Sequence, residues 1–139
     1  MFDIEGGYIV PDTHGMVWWT ELMTRDVDAA VRYYGDICGW TFETVSMMDG
    51  SGTYHIAMKG DQRLAGIMDM SSMTHLEGVP AHWFSYFAVE DIDAAIVTTK
   101  SAGGLVLRDP FDVPDTGRIV ILQDPTGAAM GMIVPATSN

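Results

Sequence analysis

The sequence predicts an α+β fold of two tandem β-α-β-β-β modules, residues 14–70 and 81–136, joined by a linker at 71–80 within one domain, 1–139. Three observations predict it. The chain repeats itself at an offset of 65 residues, so that Trp18-Trp19-Thr20-Glu21-Leu22 falls over Trp83-Phe84-Ser85-Tyr86-Phe87, Asp28-Ala29-Ala30 over Asp93-Ala94-Ala95, Gly39 over Gly104 and Gly66 over Gly131. Each copy opens with an aromatic and β-branched run, then an aspartate, then a helix-length segment closed by glycine. Each copy then carries three short strand-like runs separated by turn residues.

Taken in order, Val17 to Met23 and Trp83 to Val89 have the length and side chains of strands. Asp26 and Asp91 follow them and suit helix N-caps, because a short carboxylate accepts hydrogen bonds from the first free backbone N–H groups. The helices are expected to run to about Ile37 and Ala102, the first with an apolar face of Ala29, Ala30, Tyr33, Tyr34 and Ile37, with Gly39 and Gly103-Gly104 ending them. Strands are then expected at Thr41 to Met47, Thr53 to Met58 and Leu64 to Met70, with turns at Asp49-Gly50 and Gly60-Asp61. The second copy offers Leu105 to Arg108, Arg118 to Gln123 and Ala128 to Val134, with turns at Asp115-Thr116-Gly117 and Asp124-Pro125-Thr126-Gly127.

Composition narrows the functional classes. With 47% hydrophobic and 19% charged residues over 139 positions, the chain can bury a core without staples and lies far from the signature of disorder. Its one cysteine, Cys38, provides neither an internal disulfide nor a cysteine-based zinc site. Met1 to Val10 carries acids and glycines where a signal peptide has a basic start and an apolar run. No apolar stretch approaches the roughly 18 residues of a membrane helix. A cytoplasmic protein with no membrane partner is therefore expected. The net charge of −12 repels nucleic acid and favours either cationic ligands or simple solubility.

Thr24-Arg25-Asp26-Val27-Asp28-Ala29-Ala30, Tyr33-Tyr34-Gly35 leading to Gly39-Trp40, and Asp124-Pro125-Thr126-Gly127 carry a family resemblance across Gly15 to Pro135. On these motifs the chain resembles the vicinal oxygen chelate superfamily, which includes glyoxalase I, extradiol dioxygenases and bleomycin-resistance proteins. Trp19 to Thr24 and His82-Trp83-Phe84 look most like its small bacterial glyoxalase/bleomycin-resistance-like members. The resemblance implies a cupped, partly open mixed sheet with helices outside, a homodimer, and a divalent ion held from the first and last strands of each module. The four ligand places fall on Trp19, Gly66, Phe84 and Gly131. None of these side chains ligates a transition metal, so no metal or other cofactor is expected, nor typical glyoxalase I or dioxygenase chemistry.

Strand alternation then selects the side chains that share the former ligand face. Trp19, Glu21 and Met23 fall on it, with His82, Phe84 and Tyr86 from the repeat. Leu64, Met68, Tyr54, Ile56, Ile121 and Gln123 are expected to join them. The predicted ligand contacts are Trp19, Glu21, Tyr54, Met68, Phe84, Tyr86, Ile121 and Gln123. Replacing two ligand places by glycine is expected to leave room over flat rings. A carboxylate here needs a partner or an open, wet cavity, and Arg63 or the Tyr86 hydroxyl could pair with it. His14 and His75 fall in loops, where a solvated histidine is the expected state. Two functions follow: a metal-independent binding protein for an aromatic or hydrophobic small molecule, cationic ones included, in the cup between modules, or a metal-independent lyase, isomerase or hydrolase using Glu21 and His82 as acid and base.

Overall fold

A computed structural model describes residues 13–47 and 52–136, so the Asp49-Gly50 turn expected from sequence lies outside the described residues. In chain order the elements are β1 (Val17–Thr24), α1 (Val27–Cys38), β2 (Thr41–Ser46), β3 (Thr53–Lys59), β4 (Gln62–Asp69), a 3-10 turn (Thr74–Leu76), β5 (His82–Ala88), α2 (Ile92–Ser101), β6 (Leu105–Val113), β7 (Gly117–Gln123) and β8 (Ala129–Pro135). This is an α+β fold, with the expected β-α-β-β-β order twice over. The described residues group into two compact units, 19–86 and 13–18 with 87–136.

The unit of residues 19–86 is a mixed sheet in the order β2-β3-β4-β1-β5. β2, β3 and β4 run antiparallel, whereas β1 and β4 run parallel and place Glu21 opposite Gly66. A parallel pair needs a crossover, and α1 begins it. Asp26 caps that helix by accepting from the Ala29 N–H at 3.0 Å, and Gly39 ends it in the left-handed region at φ 71°. The core of this unit is Leu22, Met23, Ile56, Ala57, Ala65, Ile67 and Met70.

Of the apolar face expected on α1, Ala29, Ala30 and Tyr34 are half-buried, while Tyr33 and Ile37 are 55% and 62% exposed and no residue of the helix is fully buried. Aromatic contacts take the place of full burial. Tyr34 stacks on Trp40 at 5.7 Å and meets Trp83 edge-on at 5.3 Å, with the Trp83 indole N–H donating to its hydroxyl at 3.1 Å. The linker is also more ordered than its composition suggests. Arg25 donates to the Leu76 and Val79 carbonyls at 2.8 and 2.7 Å, pinning the segment around the 3-10 turn.

In the second unit β8, β7 and β6 pair antiparallel, and α2 is capped by Asp91 accepting from Ala94 N–H at 3.0 Å. Ile92, Val120 and Leu122 form its core. β6 is longer than expected, continuing past Arg108 to Val113 with register shifts on either side of Arg108. It ends the strand order, and an edge strand tolerates Pro110 with its missing N–H. The repeat is visible in each unit's own register: Ile56 lies opposite Gly66, and Ile121 opposite Gly131. No helix among the described residues is long and apolar enough to cross a membrane.

The cap geometry makes a direct prediction. Asp26→Ala leaves a first-turn N–H without its acceptor, and we expect urea denaturation to show a loss of about 1 kcal/mol, with Asp26→Asn recovering most of it.

Candidate ligand-binding site

Strand alternation on β1 turns Trp19, Glu21 and Met23 to one side of the sheet of residues 19–86. Glu21 is buried, with 7% of its surface exposed. Each carboxylate oxygen has its own phenol. Tyr54 donates to Oε2 at 2.8 Å, and Tyr86 donates to Oε1 at 2.8 Å. The Tyr54 hydroxyl in turn accepts from the Trp19 indole N–H at 2.9 Å. Phe84 meets the Tyr86 ring edge-on at 5.2 Å, extending the aromatic face along β5.

Burial pushes the Glu21 pKa up from its ordinary value of 4.5, while the hydrogen bonds from Tyr54 and Tyr86 pull it back part of the way. Tyr54 is also pushed upward, first by burial and then by the charge of Glu21. Its hydroxyl therefore stays protonated and available as a donor. Among the described residues no buried side-chain nitrogen or oxygen lacks a hydrogen-bond partner, so this polar network sits satisfied in apolar surroundings.

The β1–β4 register explains how Tyr54 reaches Glu21. Tyr54 pairs with Met68, and Gly66 pairs with Glu21, so the phenol crosses diagonally over Gly66. A Cβ on Gly66 would collide with the Tyr54 hydroxyl and Cζ. The room expected over this glycine is thus filled by the protein's own ring, a correction to the sequence reading. Arg63 is corrected too: at the start of β4 it pairs with Glu43 at 3.4 Å on the surface, leaving Glu21 to the tyrosines.

The structure brings Trp19, Glu21, Tyr54 and Tyr86 together, with Phe84 beside them and Met68 in register with Tyr54. His82 is placed apart. It lies four residues before Tyr86 on β5, roughly 13 Å along a strand, and its Nδ1–H donates to the Pro80 carbonyl at 2.8 Å. Ile121 and Gln123 lie on β7 in the second unit, opposite Gly131 and Ala129. That unit carries a cavity of about 430 Å³ that sequence reasoning missed, lined by His14, Val89, Asp91, Ala94, Thr98 and Met132 among others. His14, expected as a solvated loop residue, lines it and accepts from the Glu90 backbone N–H at 3.0 Å.

A divalent ion in this fold would need nitrogen or oxygen ligands. Trp19, Gly66, Phe84 and Gly131 offer none, and both Glu21 oxygens already accept from phenols. No group of three or more His, Cys, Asp or Glu among the described residues is placed to hold a metal. The residues present do not fit the ion.

The family model of the glyoxalase/bleomycin resistance protein/dioxygenase superfamily matches residues 17–131. The chain belongs to this superfamily. Among its relatives is CFP32 of Mycobacterium tuberculosis, named provisionally as a glyoxylase, which is 36% identical over 94% of this chain and 48% of its own length. The anthracycline biosynthesis protein DnrV of Streptomyces peucetius is 32% identical over 82% of this chain and 45% of its own. The chain thus spans about half the length of the curated relatives it matches. Solved structures share the fold at low identity. Methylmalonyl-CoA epimerase of M. tuberculosis gives a TM-score of 0.62 at 17% identity, covering 94% of this chain and 95% of the epimerase. A hypothetical protein of Bacillus halodurans gives 0.69 at 8%, covering 90% and 97%.

The packing of Tyr54 on Gly66 predicts that Gly66→Ala destabilises by about 2 kcal/mol or more, the cost of overpacking a tight site. Most of that loss should vanish when Tyr54→Ala is added, and a double-mutant cycle by denaturation measures the coupling.

The raised Glu21 pKa predicts a pH signature. Its folded value lies above the unfolded one, so the folded state holds more protons, and the Glu21 contribution to stability falls as pH rises from about 4.5 toward the folded value. Stability curves across that range should therefore show the fall in wild type and its absence in Glu21→Gln; parallel curves would disprove the assignment.

Proposed function

We propose that this chain is a metal-independent small-molecule binding protein of the glyoxalase/bleomycin-resistance type, holding an aromatic ligand against the Trp19–Tyr54–Phe84–Tyr86 face. The single observation that carries this reading is the cluster of half-buried rings around one buried carboxylate, with two of the rings, Trp19 and Phe84, at strand positions where the resemblance implies metal ligands. Flat ring faces suit a planar partner, and the charge of −12 draws a cationic one. The names of the similar proteins, a glyoxylase, an anthracycline biosynthesis protein and an epimerase of a coenzyme A thioester, all belong to small-molecule chemistry and support a small-molecule ligand. We take two copies to act together, which would supply about the length of chain found in one curated relative.

The alternative of acid–base catalysis by Glu21 and His82 has less support. The upward-shifted carboxyl suits a general base, but the imidazole is tied to Pro80, well along the strand.

Thermal-shift and calorimetric titration with matched cationic, neutral and anionic aromatic compounds tests the binding reading. We expect the cationic members to bind most tightly and Trp19→Ala to weaken them at least about tenfold, the loss of a ring contact of about 1.4 kcal/mol. A panel that leaves the melting temperature unmoved, or binding indifferent to Trp19→Ala, would refute it.

A further inference from the structure

A phenol hydroxyl is both donor and acceptor, and a place built to recognise one must offer the complementary pair. The space over Gly66 does so. Glu21 Oε2 accepts from a single hydroxyl at 2.8 Å, and the Trp19 indole N–H donates to the same hydroxyl at 2.9 Å. Below it, the glycine backbone lies so close that any side chain there would meet the ring. Tyr86 holds the second oxygen of Glu21 at 2.8 Å and so fixes the direction of the first. In this structure the oxygen at that place belongs to Tyr54.

The groups that recognise the hydroxyl and the group that fills the place come from different strands. Trp19 and Glu21 are on β1 and Gly66 is opposite on β4, whereas Tyr54 is the second residue of β3. A rotation of the Tyr54 side chain therefore vacates the place without moving the donor, the acceptor or the glycine floor. An incoming hydroxyl would restore both hydrogen bonds that the rotation breaks. A ring bearing an ether in its place could still accept from the indole N–H but would leave the buried carboxylate oxygen without its donor, and a ring bearing only a methyl group would leave both unpaired.

We propose that the slot formed by Gly66, Glu21 and Trp19 recognises a phenolic hydroxyl on the ligand, and that Tyr54 is a displaceable stand-in closing it. This rests on the small-molecule reading above and assigns the ligand a chemical class. Tyr86 acts as a positioning residue through Glu21.

The probes are p-cresol, 4-methylanisole and toluene, titrated calorimetrically into the full chain and into Tyr54→Ala and Tyr54→Phe. Both variants remove the competing hydroxyl, and Tyr54→Phe keeps the ring volume should the alanine variant fail to fold. We expect p-cresol to bind wild type, to bind either variant at least about tenfold more tightly, and to exceed 4-methylanisole and toluene at least about tenfold in the variants. In wild type, p-cresol should shift the indole resonance of Trp19 as its hydrogen-bond partner changes. If the cationic aromatic panel binds in a Trp19-dependent way while p-cresol shows no advantage over 4-methylanisole, the slot assignment fails and the broader binding reading stands. If p-cresol enters the variants but never wild type, Tyr54 is a permanent part of the core and the proposal is overturned. If neither panel nor p-cresol binds any form, both fall together.

Discussion

The buried Glu21 carboxylate is the constraint around which residues 19–86 are organised. Removing a carboxylate from water costs several kcal/mol even after local relaxation, and apolar neighbours offer nothing in return. Two hydrogen bonds to a charged group, each contributing about 1.5–3 kcal/mol, offset part of a penalty of that size. Tyr54 and Tyr86 supply them from the two strands that flank the β4–β1 pair in the sheet order. Loss of either without a replacement donor would leave a buried oxygen unpaired, so each ring is held in place by the carboxylate unless another hydroxyl takes its position.

From that anchor the rest of the site follows by geometry. Tyr54 can reach Glu21 only by crossing the position opposite it, and that position must be glycine. The indole of Trp19, two residues along the same face of β1, then donates to the Tyr54 hydroxyl. Gly66 and Trp19 stand at places where the resemblance implies metal ligands, yet here one provides backbone clearance and the other a hydrogen-bond donor. Both roles meet at Tyr54, whose ring lies over Gly66 and whose hydroxyl accepts from Trp19.

Much of the fold was legible in the sequence because its signals are local or repeat. The capping aspartates and Gly39 announce the first helix with their own side-chain chemistry, and the period of two on β1 and β5 puts Trp19, Glu21, Phe84 and Tyr86 on one face. The partner of Glu21 was legible only as a choice between Arg63 and Tyr86. Deciding it requires the register of β3 against β4, which depends on a bulge at Ala57/Met58 that no local signal marks. The same register carries Tyr54 over Gly66, so the filled slot was invisible too. On α1 the apolar spacing was real but its consequence was only partial burial, because spacing identifies a face without saying what covers it.

The repeat adds a last step. Glu21 and Tyr86 occupy the same position in the two copies, and so do Thr20 and Ser85, whose hydroxyls lie 3.3 Å apart. Equivalent residues thus face each other where β1 and β5 adjoin. Two glutamates at this junction would repel in a buried place, and two tyrosines would lack a charged acceptor to hold both hydroxyls. An acid in one copy and a phenol in the other form a complementary pair, with one oxygen of the acid left for a second donor. That second donor is Tyr54, whose repeat equivalent is Ile119, so the 65-residue spacing that preserves the fold also permits a polar site on one side only. The asymmetry between the copies is what gives this face its chemistry.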